Sequence, residues 1–119
     1  RHKKISILIT VNLISSVRKF HNSKLFFSKI ELSKILLCYA IGVSKGSWKD
    51  YAMTFNRQEA IFYMFKNSMS SPDCILTKTT NFQKKIFFYN LELQNIKKTK
   101  FTKMDDLIVL LKRREFYII

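Results

Sequence analysis

From Asp50 to Phe101 the chain offers one short β pattern after another, with no helical period between them. This feature constrains the fold most. Parallel neighbours need a crossover of a dozen or more residues, whereas antiparallel neighbours need only a turn. "DYAMTFN" alternates, with Tyr51, Met53 and Phe55 on one side. "NRQ" at 56–58 is a polar turn. "EAIFYMFKN" is apolar on both sides, with Ile61, Tyr63 and Phe65 against Ala60, Phe62 and Met64. Such a strand belongs in the middle of a sheet. "SMSSPD" is a loop with Pro72 and Asp73 in turn chemistry. "CILTKT" and "KIFFYNLEL" read as further strands. "IKKTKF" reads as an edge strand, whose lysines discourage edge-to-edge pairing.

Helical patterns flank this region. Ser28 stands three residues before Glu31, a capping box. Leu32, Ile35, Leu36, Tyr39 and Val43 then recur at spacings of three and four, one apolar stripe. Phe26 or Phe27 can staple the start, and Gly46 supplies the stop. Near the other end, "TKMDDLIVLLKRR" has Thr102 at the cap position and a stripe of Met104, Leu107, Ile108 and Leu111. Asp105 and Asp106 fall in the first turn, and Lys112, Arg113 and Arg114 in the last, matching the helix dipole. The expected fold is α+β: an antiparallel four- to five-stranded meander sheet with an N-terminal and a C-terminal helix packed on one face. Large side chains remain for the second sheet face, which is expected to meet a partner.

Residues 25–119 are read as a single compact α+β domain, and 1–24 as a basic, poorly ordered extension. The extension holds six Lys/Arg, both histidines and no acid. Its apolar run "ISILITVNLI" is shorter than the ~20 residues a membrane helix needs. A signal peptide has such a stretch, but here Ser6, Thr10 and Asn12 interrupt it and no A-x-A-like site follows. His2 and His21 lack companions at metal-ligand spacing. Cys38 and Cys74 have no CxxC spacing and are expected to be buried thiols in a cytoplasmic protein. No metal or cofactor is expected.

The net charge of +14 points to a polyanion, RNA or DNA above all. Lysine outnumbers arginine 17 to 5, and Lys, Ile, Phe and Asn all use A/T-rich codons, so a low-GC genome offers a competing account. Candidate phosphate contacts are Lys84, Lys85, Lys97, Lys98, Lys100, Lys112, Arg113 and Arg114. Tyr63 or Tyr89 could stack on bases. The alternative is a protein–protein module with no nucleic-acid role: a homodimer joined through the second sheet face, or an accessory subunit. Catalysis is not expected. Both histidines lie in the extension, and the chain has no P-loop, G-x-G-x-x-G or HExxH.

One stretch stands apart, "SKGSWKDYAMTF", which holds the only tryptophan. Gly46 frees the backbone to turn, Trp48 covers the helix end, Asp50 accepts backbone N–H groups or pairs with a lysine, and Tyr51 enters the sheet. A binding motif is the other reading. The surrounding sequence resembles a small alphaproteobacterial family classed as a domain of unknown function. Its pattern runs aromatic-x-x-x-E-L-x-x-I-L, tyrosine, G-x-W-R/K-D-Y-A, an aromatic-rich strand and a proline. Matching positions are Glu31, Leu32, Ile35, Leu36, Tyr39, Gly46, Trp48, Lys49, Asp50, Tyr51, Ala52, Phe62, Phe65 and Pro72, within residues 25–112. Cys74 stands where the family tends to carry an aromatic. The resemblance implies fold and family, and no activity.

Overall fold

A computed structural model describes residues 24–67, 71–81, 86–93 and 96–117, with backbone alone for 96–97 and 114–117. All of the expected extension (1–24) except Lys24, and two of the candidate contacts, Lys84 and Lys85, lie outside the described residues. Element order is α1 (Lys29–Ser44), β1 (Asp50–Phe55), β2 (Glu59–Phe65), β3 (Cys74–Asn81), β4 (Ile86–Leu93), β5 (Ile96–Phe101) and α2 (Met104–Tyr117). The five strands form one antiparallel sheet in the order β1-β2-β3-β4-β5, a meander. The fold is α+β, with both helices on one face.

Register explains why. Tyr51 and Met53 pair with Met64 and Phe62, Phe62 pairs with Leu76, and Leu76 with Leu91. All of these side chains share one face. They join Leu32, Ile35, Leu36 and Tyr39 of α1 and Met104, Leu107, Ile108 and Leu111 of α2 in one core. Tyr51 stacks on Phe62 with centroids 5.0 Å apart, and Tyr39 meets Tyr51 edge-on at 4.9 Å. Such pairs add roughly 0.5–1.5 kcal/mol each beyond the area they bury.

The capping box at the start of α1 is complete. The Ser28 hydroxyl accepts from the Glu31 N–H at 3.1 Å, and the Glu31 carboxylate accepts from the Ser28 N–H at 2.8 Å. Gly46 ends the helix at φ +81°. The Ser47 N–H reaches the Gly42 carbonyl at 2.7 Å, and the Gly46 N–H reaches that of Val43 at 3.0 Å. That pair of bonds is the Schellman arrangement. The hairpin between β1 and β2 turns on Asn56, whose Oδ1 accepts from the N–H groups of Gln58 and Glu59.

Two expectations need correction. Val43 is exposed; the stripe of α1 is buried only as far as Tyr39 and Gly42, because the last turn runs on into the Gly46 stop. Helix α2 begins at Met104, so Lys103 and not Thr102 precedes it. It also runs past Arg114 to Tyr117, since no Gly or Pro breaks it there.

Candidate polyanion-binding surface

The second face of the sheet is not open throughout. Ala52, Tyr63 and Phe65 form a buried cluster there, flanked by half-buried Ile61 and Ile75. Tyr63 is only 9% exposed, and its hydroxyl lies 3.3 Å from Thr54 Oγ1. Tyr89 lies on the opposite, helix-facing side and is also buried. Neither tyrosine therefore presents a free ring for base stacking. The sequence pattern could not distinguish them from core, because β2 and β4 are apolar on both sides.

Exposed apolar surface on this face begins at β4. Ile86 is exposed and Phe88 half-buried. Asn90 pairs with Lys100 across the β4–β5 ladder, which places Lys100 on the same side as Phe88. Its Nζ sits 4.0 Å from the centre of the Phe88 ring, within cation–π range. Lys98 is exposed on the same edge strand. The backbone of Lys97 also lies in β5. On α2, Lys112 is half-buried and Arg113 exposed, with Arg114 following in the helix. Helix α2 covers the other face of the sheet. The structure thus brings Lys98 and Lys100 together on one edge strand, and places Lys112 and Arg113 on the opposite side of the molecule.

One polar site is absent from the sequence reading. Lys78 is 5% exposed and shares the parity of Cys74 and Leu76, so it points into the core. Its ammonium donates to Glu31 Oε1 at 2.8 Å and to the Phe26 carbonyl at 3.1 Å. It also lies 4.3 Å from the centre of the Phe87 ring. The Tyr89 hydroxyl donates to Glu31 Oε2. Burial pushes the Glu31 carboxyl up, but hydrogen bonds from Lys78, Tyr89 and the Ser28 N–H, with the Lys78 charge, hold it below its usual range. Burial, and then the bond to Glu31, raise the Tyr89 phenol. Glu31 was legible as a capping residue. The signal for its second role was the lone lysine in step with Cys74 and Leu76.

The residues of the tryptophan stretch lie at the junction of α1 and β1. Trp48 is buried, and its Nε1 has no partner among the described residues. The Lys49 N–H donates to the Phe65 carbonyl at 2.8 Å, extending the β1–β2 ladder by one residue. Asp50 Oδ1 accepts from the Tyr51 N–H at 2.9 Å. Burial, followed by the nearby Asp50 and Tyr51, raises the Tyr39 phenol. Cys38 and Cys74 are buried, with no disulfide between them. Among the described residues no cluster of three or more His, Cys, Asp or Glu could hold a metal. No helix among them is long and apolar enough to cross a membrane.

The fold and surface define a small α+β domain, an open five-stranded meander backed by two helices. The chain belongs to the family described as "Protein of unknown function (DUF2794)", whose model matches residues 25–100, well over half of the chain. The match stops at Lys100, so α2 lies beyond it. No curated protein and no solved structure matches the chain.

Proposed function

We propose that this protein is a non-catalytic binding module that takes a polyanionic chain, RNA or DNA, along the β4–β5 end of the open sheet face. The observation that supports this reading is Lys100 held over the half-buried ring of Phe88, with Lys98 exposed on the same edge strand. A cation above an aromatic ring on an exposed sheet face offers a phosphate contact and a stacking surface within one base step. The net charge of +14 supplies long-range attraction. Contacts of this kind are sequence-independent.

The test is fluorescence anisotropy with single-stranded RNA and DNA across a salt series, on nuclease-treated protein. Each phosphate contact contributes a slope of about 0.7–0.9 in log K against log salt. Charge reversal at Lys98 and Lys100 is expected to flatten the slope by about 1.5. Phe88→Ala is expected to weaken binding by about 1–3 kcal/mol and leave the slope unchanged. Charge reversal at Lys112 and Arg113 is expected to have the smaller effect. Wild-type binding no tighter than roughly 10⁻⁴ M at physiological salt, unmoved by these changes, would leave the charge to codon usage.

A further inference from the structure

On the side away from the sheet, α1 and α2 leave aliphatic side chains in solvent. Leu37 is 56% exposed and Val109 54%. They flank a groove of about 240 Å³ between the helices, which Ile108, Lys34, Asp105 and Lys112 also line. Lys34 pairs with Asp105 across it, an exposed contact.

The charges along α2 are antisymmetric about Val109. Asp106 stands three residues before it and Lys112 three after; Asp105 stands four before and Arg113 four after. At 3.6 residues per turn these positions and Val109 fall within about a third of the helix circumference. The helix dipole accounts for the acids in the first turn. It does not account for an exposed aliphatic residue at the midpoint, on the same side, beside a second one on α1.

We propose that this helix surface is a self-association site, where α2 of one copy packs antiparallel against α2 of a second copy about a two-fold axis at Val109. A two-fold contact is isologous: if residue i meets j, then j meets i. Asp105 and Lys112 share one edge of the face and Asp106 and Arg113 the other, so Asp105 of each copy meets Lys112 of its partner, Asp106 meets Arg113, and Val109 meets Val109. All four charge pairs are opposite in sign. A parallel pairing would set like against like. Lys34 competes for Asp105 within each copy, but an exposed pair of that kind is worth at most about 1 kcal/mol and can be shared or exchanged. Leu37, beside the same groove, adds apolar area at the flank. This contact uses the helix side, not the second sheet face, whose β1–β3 part is already buried. It leaves the β4–β5 face of both copies outward and is independent of the polyanion reading.

Sedimentation velocity of the full, nuclease-treated chain tests this. The contact is small, so association is expected to show as a monomer-to-dimer shift between about 1 µM and about 1 mM. Val109→Glu sets two carboxylates against each other on the axis and is expected to abolish the shift. Two charge variants give a check that does not depend on that one. Asp105→Lys with Asp106→Lys, and Lys112→Glu with Arg113→Glu, are each expected to be monomeric, because like charges then face across the axis. Mixed in equal amounts they are expected to recover a heterodimer. Far-UV circular dichroism confirms that each variant is folded. A wild type monomeric throughout, a dimer indifferent to Val109→Glu, or folded charge variants no more associated mixed than apart would each overturn the proposal.

Discussion

Replacing Lys78 with methionine keeps most of the buried stem and removes only the ammonium. Glu31 is then left with the Tyr89 hydroxyl and the Ser28 N–H as donors. Removing one partner of a fully buried ion pair costs about 3–5 kcal/mol. Here the Glu31 side chain is 14% exposed and keeps two donors, so the lower end applies, about 3 kcal/mol, with the bond to the Phe26 carbonyl included. With a urea m-value of about 1.5–2 kcal/mol/M, the unfolding midpoint should fall by about 1.5–2 M, read from Trp48 fluorescence. Acid provides an internal control. The Glu31 carboxyl is held below its usual range in the folded protein, so its stabilisation is present above the unfolded value of 4.5 and is lost as pH falls through the folded value. Without Lys78 that lowering weakens, so the deficit of Lys78→Met should be largest near neutral pH and shrink in acid. Adding Glu31→Gln should cost little more than Lys78→Met alone, a coupling on the order of 2–3 kcal/mol. Additive costs, or a deficit that does not change with pH, would refute the account of the pair as mutually dependent.

Two predictions concern the junction of α1 and β1. Gly46→Ala should cost about 1–2 kcal/mol, from the φ of +81° alone, because an added Cβ meets nothing within 4 Å; calorimetry should show a lower melting temperature, with Gly46→Asn milder. Trp48→Ala should cost roughly 3–5 kcal/mol in denaturant titration, as other buried large aromatics do, whereas Trp48→Phe should be much milder, since the indole N–H has no partner among the described residues.

The architecture was legible because its signals are local. The Ser28–Glu31 box, the Gly46 stop and the alternation of Tyr51, Met53 and Phe55 each depend on residues within one turn or one strand. The candidate surface was less legible because it depends on which face a side chain takes. Tyr63 and Tyr89 look alike in sequence, yet one belongs to the second face and the other reaches Glu31, 58 residues away. The lysines of β5 and the basic residues of α2 read as successive clusters, but the sheet lies between them. Lys78 was passed over because one lysine in "CILTKT" reads as a solvated position. Only the pairing of Lys78 with Tyr89 and the docking of Glu31 above them show otherwise.

Strand β4 opens with four apolar side chains, Ile86 and Phe88 on one side and Phe87 and Tyr89 on the other. Over these four residues greasiness alone gives little reason to prefer one alignment on β3 over its neighbour. A one-residue slip would exchange the two sides, bringing Phe88 beneath the helices and turning Tyr89 away. Over 86–89 apolar contact would survive that exchange, while further along Leu91 and Leu93 would turn out and Asn90 and Glu92 would turn in. The carboxylate of Glu31 would not be so well served: it would lose the phenol donor while its own partner on β3 stayed in place. The trio of Glu31, Lys78 and Tyr89 thus adds a proofreader of strand alignment, penalising the slipped sheet by leaving Glu31 Oε2 without its donor. Where the strand's own alternation is silent, at 86–89, one hydroxyl finding one oxygen marks the right threading, and Leu91 and Leu93 mark it beyond.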